Sequence, residues 1–528
     1  MRQWFRKNRL PQEAIVRAWL SALLALFLLL TAGCGRPVPR TGESVFRYGT
    51  MAYGVAMYNA GMDPHRSYQG WTTIRYGVGE TLFRFNDQME PVPWLATDFT
   101  RVDPYTVRLR VRDGVTFSNG RPCDGEAVAA CLRRLVQLHD RAREDLQFAS
   151  VTADGQVVTI HSRRPTASLL YQLCDPYAAI IDVSQPIRTD TDVIGTGPFV
   201  TERLTPTEIQ LRKNPHYWDG PVQTDRVLVQ SIPDGEMLTM ALQNGEVDAV
   251  QGMPYSSLPL FQSAADRFTI LSVPTSRVFQ AALNFRTPAL QDQRVREAIC
   301  LALNKKQFVH ALLNDNGYAA IGAFPANLPY GGRTVRDGGY QPARARALLA
   351  EAGWRDTDGD GYVDKGGQPL TLRWLTYTSR QELPLLATAM QGYLRQIGIR
   401  LVVQATDSAA EFLQRGAWDI YAKAIVTAPV GDPGNYLLNH VRTGATHNNG
   451  AYSNPRVDVL TDRLAAEFDP ARRGALAVQI MQLVLDDHAI LYASHLRMNL
   501  ILRKGVSGIR PHPCDYYEIT KDLTVRPR

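Results

Sequence analysis

The chain has 528 residues, too many for one ordinary core, and its size predicts two to four domains. Hydrophobic residues at 45% and charged residues at 21% are globular proportions and exclude a disordered or fibrous chain. The formal charge of +7 falls to +3 without the first 33 residues, which hold five basic side chains and one acidic, so neither charge nor any basic stripe interleaved with aromatics points to nucleic acid.

The opening segment, "MRQWFRKNRLPQEAIVR", carries Arg2, Arg6, Lys7, Arg9 and Arg17 and runs into the 13-residue apolar stretch Ala18–Leu30. That is short of the ~20 residues of a membrane span and suits an export signal behind its basic flank. The stretch ends in "TAGC", small residues before a cysteine, as in a bacterial lipobox. We expect residues 1–33 to be a signal peptide, Cys34 to be acylated as the mature N-terminus, and 34–44 to be a tether. A plain signal peptide cut nearby and an uncleaved anchor are the alternatives. Several acyl chains together anchor a protein stably where one does not, so the expected place is the bacterial cell envelope, outside the cytoplasm and held to the membrane by lipid.

"VFRYGT" predicts the first strand of the body. "YTVRLRVRDGV" alternates apolar and basic residues, the pattern of a half-buried strand, and turns at Asp113-Gly114. "CDGEAVAACLRRLVQL" has helical apolar spacing, with Asp124 as N-cap and Glu126 in the first turn. Strands follow at "GQVVTIHS", at "EIQLRKNPHYW" with a turn at Asn214-Pro215, and at "DRVLVQSIP". "GEMLTMALQNGEVDAV" reads as helix, turn at Gly245 and strand. "QRVREAICLALNKKQFVHALL" is the clearest amphipathic helix, and "PARARALLAEAGW" is another, stopped by Gly353. "QPLTLRWLTY" reads as a strand, "LPLLATAMQGYLRQIG" as a helix and "IRLVVQAT" as a strand. Strands alternate with helices throughout, which predicts an α/β protein with mixed sheets.

The run "DTDGDGYVDKGG", Asp356 to Gly367, lies between two of these elements. Asp356, Asp358 and Asp360 have the spacing of the first, third and fifth ligands of an EF-hand, with Gly361 at its sharp turn. The twelfth position, which needs a bidentate acid, is Gly367, and a strand follows where a helix is required. The run is expected to be a helix-to-strand connection, with a weak structural calcium at Asp356, Asp358 and Asp360 as the alternative.

Catalytic signatures are missing. The chain has no GxxxxGK[ST], GxSxG, HExxH or CxxC, so we expect neither an enzyme nor a cofactor. The five cysteines after Cys34 are an odd number, which leaves at least one thiol unpaired. Cys131 and Cys300 sit on apolar helical faces and are expected to be buried thiols.

Six stretches in order resemble one family, the peptide- and nickel-type substrate-binding proteins of ABC importers (solute-binding protein family 5). They are "MDPHRSYQGWTTIRYGVGETLFRFNDQMEPVPWLATDF", "LRVRDGVTFSNGRPCDGEAVAACLRRL", "IGTGPFV" with "LRKNPHYWDG", "LNFRTPALQDQRVREAICLALNKK", "GDPGNYL" and "NNGAYSNPRVDVL". The resemblance implies a two-lobed periplasmic-binding-protein clamp with mixed sheets and a subdomain inserted in the first lobe. Carried onto this chain, lobe I is 45–80, 194–284 and 499–528, the inserted subdomain is 81–193, and lobe II is 285–498. It further implies a monomer that closes around a peptide or other small solute and delivers it to an ABC permease with its ATPase subunits.

The resemblance also implies ligand-binding positions. Asp432 in "VGDPGNYL" matches the carboxylate that pairs with a peptide's ammonium, although the tryptophan that often precedes this motif is missing here. His447 in "RTGATHNN" lies where nickel-type relatives place a metal-ligating histidine, and imidazole suits nickel. Arg141 and Arg143 in "HDRARED" fall near the arginine that meets a chelator's carboxylate. Tyr68 and Trp71 are the expected aromatic contacts in the cleft. Peptide, nickel chelate and another solute remain open as ligands, as do an envelope hydrolase that reuses the clamp and a sensor without its own importer.

Overall fold

The computed structural model describes residues 42–51, 61–378, 380, 382–406 and 408–526. The expected signal peptide, Cys34 and residues 34–41 of the tether lie outside them. Among the described residues no helix is long and apolar enough to cross a membrane.

One eleven-stranded sheet runs through the molecule. At its centre are two long antiparallel strands, Phe268–Leu283 and Ile490–Arg503. On one side of this pair lie Ile420–Val426, Thr371–Thr376 and Arg400–Ala405. On the other lie Ala249–Gln251, Val45–Thr50, Arg226–Ser231, Glu208–Lys213 and Phe199–Leu204, and the eleventh strand, Gly317–Ala319, pairs with Ile490–Arg503 off this path. This antiparallel pair therefore makes the sheet continuous from one half of the α/β molecule to the other.

The sequence reading missed both long strands, and the reason is physical. Each is covered on both faces: Leu500 and Leu502 enter one hydrophobic core and Ile501 the other. A strand buried on both faces shows a near-continuous apolar run instead of period-2 alternation. The most distinct predicted helix is two helices, Gln293–Ala302 and Lys305–Leu313. Asn304 separates them by capping the second, accepting the Gln307 N–H at 3.0 Å. Cys131 is buried as expected, Cys300 is only half-buried, and all five described cysteines are free.

A separate antiparallel sheet, Ala96–Arg101, Thr106–Val111, Val157–Ser162 and Phe148–Asp154, packs against the helix Gly125–Leu138. Asp124 caps that helix as the sequence predicts, accepting from the Ala127 N–H at 2.9 Å. One buried carboxylate gathers three of the family-like motifs. Glu80 of "GETL" accepts from Thr196 Oγ1 of "GTGPF" at 2.9 Å, and from Tyr217 Oη and Trp218 Nε1 of "NPHYW" at 2.7 and 2.8 Å. Burial pushes its pKa up to about 7 despite these three donors.

Candidate functional site in the interlobe cleft

Two cavities, of about 330 and 360 Å³, adjoin between the lobes and share Trp71, Arg277, Arg380 and Val426. Met51, Met253 and Met498 line the first, and Tyr68, Tyr76, Tyr177 and Tyr516 line the second.

The central strands supply the cation they share. Pairing of Phe268–Leu283 with Ile490–Arg503 shifts register between Pro274 and Val278. Pro274 has no N–H to give the ladder, and such irregularities re-aim side chains beside sites. Thr275, Ser276 and Arg277 from this interruption all line the methionine-walled cavity. Arg277 is half-buried and makes no ion pair with any described carboxylate. Arg380 approaches from the segment before the helix Glu382–Gln396. Burial pulls its pKa below the ordinary arginine value, against the opposing fields of Glu382 and Asp515.

The tyrosine-walled cavity begins at the helix Gln69–Arg75. Tyr68 stands just before this helix, 51% exposed, with its ring centroid 6.3 Å from that of Trp71. The Trp71 ring meets Tyr516 edge-on at 6.0 Å. Across the cavity Arg141 donates to Asp175 Oδ1 at 2.6 Å and lies 4.8 Å over the Tyr177 ring. The structure thus brings Tyr68, Trp71 and Arg141 to the lining of one cavity. Arg143, the other arginine of "HDRARED", is exposed on the outside. It pairs with Asp140 at 2.9 Å and donates to the Val136 and Gln137 carbonyls at the end of the preceding helix.

Asp432 lines neither cavity. It is 3% exposed, and Arg473 holds both of its oxygens at 2.8 and 2.7 Å, while the Gly434 N–H donates a further 2.7 Å bond. An incoming ammonium would have to displace a buried guanidinium, so the expectation of a free cleft carboxylate at Asp432 is corrected. His447 is likewise outside both cavities. It stacks on His440 at 5.0 Å beside a small crevice with Lys423, and burial lowers its pKa, helped by the Lys423 charge.

The aspartate run also differs from its expected ligand set. Oxygens of Asp356, Asp358 and Asp364 lie within 4.8 Å of one another, whereas Asp360 accepts the Tyr362 N–H at 2.8 Å and faces Arg400 at 3.4 Å. A two-residue hairpin and then the strand Thr371–Thr376 follow, so the run is a helix-to-strand connection remote from the cleft cavities.

Sequence reasoning missed Arg277, Arg380 and Glu382 because two segments about a hundred residues apart bring them together. The one available signal was Pro274 inside the apolar run "SVPTSRVFQAAL", which marks an interrupted strand with a charged residue at the break.

Comparison with known proteins agrees with this architecture. The family model of bacterial extracellular solute-binding proteins, family 5 (middle), matches residues 90–448. The nickel-binding protein NikA of Staphylococcus aureus is 23% identical over 462 residues, 87% of this chain and 91% of that protein. The di/tripeptide-binding protein 2 of Pseudomonas aeruginosa is 26% identical over 496 residues, 86% of this chain and 91% of that protein. The crystal structure of a nickel ABC transporter protein from Bacillus halodurans superposes with a TM-score of 0.79 at 27% identity, covering 92% of this chain and all of that one. With a two-lobed α/β fold built on one long sheet and a family match over most of its length, the chain belongs to family 5 of the bacterial extracellular solute-binding proteins.

Proposed function

We propose that this chain is the extracytoplasmic substrate-binding component of an ABC importer, and that it captures a small carboxylate-bearing solute, foremost a short peptide, between its lobes. The observation that carries this reading is Arg277, a half-buried guanidinium shared by both cavities and without a carboxylate partner among the described residues. Such a group favours an anionic oxygen from a ligand, and guanidinium matches carboxylate geometry. Arg141 and Arg380 reinforce the positive wall, and Tyr68 and Trp71 offer aromatic faces to the rest of the solute. A carboxylate-chelated nickel ion is the second reading, favoured by the nickel-binding relatives, and it would use the same arginines.

In this proposal lobe I comprises 45–80, 194–284 and 499–528, the inserted subdomain 81–193 and lobe II 285–498. Closure bends the two long strands, and the closed form engages the permease and its ATPase subunits. Cys34 carries the lipid that keeps the protein at the outer surface of the membrane. The role is binding without turnover.

Native mass spectrometry of protein purified from its own host, with metal analysis of the same sample, tests the ligand class. A copurified peptide supports the first reading and a nickel atom the second; a neutral sugar overturns both. In titration calorimetry Arg277→Ala should lower affinity for the copurified solute at least tenfold, and an unchanged affinity overturns the role of Arg277. Hydrolysis of a bound peptide would overturn the assignment as a receptor alone.

A further inference from the structure

Glu382 opens the helix Glu382–Gln396 and lines the methionine-walled cavity. It is only 4% exposed. Its Oε1 accepts the hydroxyl of Tyr255, and the Tyr255 backbone is held in turn by Asn314, whose Nδ2 donates to the carbonyl at 3.0 Å. Its Oε2 is buried and accepts no hydrogen bond. A buried carboxylate with an idle oxygen is costly, and the cost is relieved when a cation or donor meets it.

Among the described residues no cation is paired with it. Arg380 is close enough to feel the charge of Glu382, yet no described cation lies within 4.0 Å of it. Arg497 is turned to Ser272, donating to its Oγ at 2.9 Å. The other carboxylate of the cavity, Asp515, is occupied by Arg75 and by Gln251 at 2.9 Å. Around Glu382 the same cavity presents Met253, Leu258 and Met498, a wall suited to methylene groups.

We infer that the methionine-walled cavity receives an alkylammonium group of the solute. The cation rests on Glu382 as Tyr255 holds the carboxylate in place, and its apolar stem lies along Met253, Leu258 and Met498. The solute carboxylate meets Arg277 in the wall common to both cavities. This inference rests on the carboxylate-bearing solute proposed above and narrows it to a zwitterion. It also gives Glu382 the cation-recognition role that Asp432, spent on Arg473, does not have free. The ammonium has two sources in a peptide, a free N-terminus or a lysine side chain.

Four dipeptide probes titrated calorimetrically into the full-length protein distinguish the outcomes: alanyl-lysine, alanyl-norleucine, N-acetyl-alanyl-lysine and N-acetyl-alanyl-norleucine. At least one amine-bearing probe should bind tenfold or more tighter than the doubly amine-free one. Preference for N-acetyl-alanyl-lysine over alanyl-norleucine assigns the cavity to a side chain, and the reverse order to the N-terminus. Glu382→Gln should collapse the discrimination to within about twofold while leaving the amine-free probe's affinity within about threefold. Tyr255→Phe, which keeps the ring and removes the positioning hydroxyl, should weaken the discrimination in part. Equal binding of all four probes, lost in Arg277→Ala, overturns the ammonium site and leaves the carboxylate reading standing. Discrimination that survives Glu382→Gln also overturns it. Absence of binding by every probe overturns both.

Discussion

Arg473 grips Asp432 through two hydrogen bonds, from Nε at 2.8 Å and from Nη2 at 2.7 Å, with both side chains almost wholly buried. The remaining nitrogen of the guanidinium donates to the Leu464 and Glu467 carbonyls at 2.6 and 2.8 Å. Asp432 therefore ties the "GDPGNYL" segment to the helix Pro470–Asp486 and the end of the helix before it.

Asp432→Ala is expected to act first on stability. Breaking a buried pair leaves an uncompensated charge and costs ~3–5 kcal/mol. Denaturant unfolding should show a lower midpoint for Asp432→Ala and for Arg473→Met, with the double variant losing less than the two single losses combined. Unchanged stability together with abolished ligand binding would restore Asp432 as a ligand contact.

The two arginines of "HDRARED" should separate cleanly. Arg141→Ala removes a cation from the tyrosine-walled cavity and is expected to weaken binding of the copurified solute about tenfold, ~1.4 kcal/mol. Arg143→Ala removes an exposed pair and two helix-end bonds, and affinity should stay within about twofold. Titration calorimetry on the two variants checks the order, and a reversed order would show that the wall is misassigned.

Gly431, in the proposed lobe II, packs against Met89 of the proposed inserted subdomain. A Cβ there would lie 2.3 Å from the Met89 carbonyl oxygen, and the backbone has φ +69, where a side chain is strained. Tyr330 Oη fixes the same residue by donating to its carbonyl at 2.6 Å. Gly431→Ala is expected to push lobe II off the subdomain and so to disfavour the closed form, weakening ligand binding mainly through faster dissociation. Stopped-flow displacement of a bound probe measures this; an unchanged off-rate would show that the contact takes no part in closure.

Glu80 makes a pH prediction of definite sign. Its folded pKa, pushed up from 4.5 to about 7 by burial, exceeds the unfolded value, so the folded state binds the proton more tightly. The corresponding stabilisation is full below pH 4.5 and is lost as pH rises through 7, a change of ~3 kcal/mol. Glu518, also raised to about 7 by burial, adds a contribution of the same sign. Thermal melts of wild type and Glu80→Gln should therefore show a stability difference that shifts in favour of the variant between pH 5 and pH 8. A difference independent of pH would mean that Glu80 titrates normally.

What the sequence determined by itself was the set of local elements and the family-like order of its motifs. Strand and helix signals with one polar face were legible, as at Thr106–Val111 and Gly125–Leu138, because their periodicity is written in consecutive residues. Tyr68 and Trp71, which line the tyrosine-walled cavity, could be singled out because an aromatic pair near a helix start is visible locally. The tertiary structure decided the rest. It showed the two long central strands, whose double-faced burial erases alternation, and it separated Arg141 from Arg143 by which side of a seven-residue helix reaches the cavity. It also decided which carboxylates are free. Asp432, Asp515 and Glu382 look alike in sequence, but the first is matched to Arg473, the second to Arg75 and Gln251, and the third retains an unbonded oxygen. A carboxylate's role depends on the neighbours that burial gives it, and those neighbours come from segments far apart in the chain.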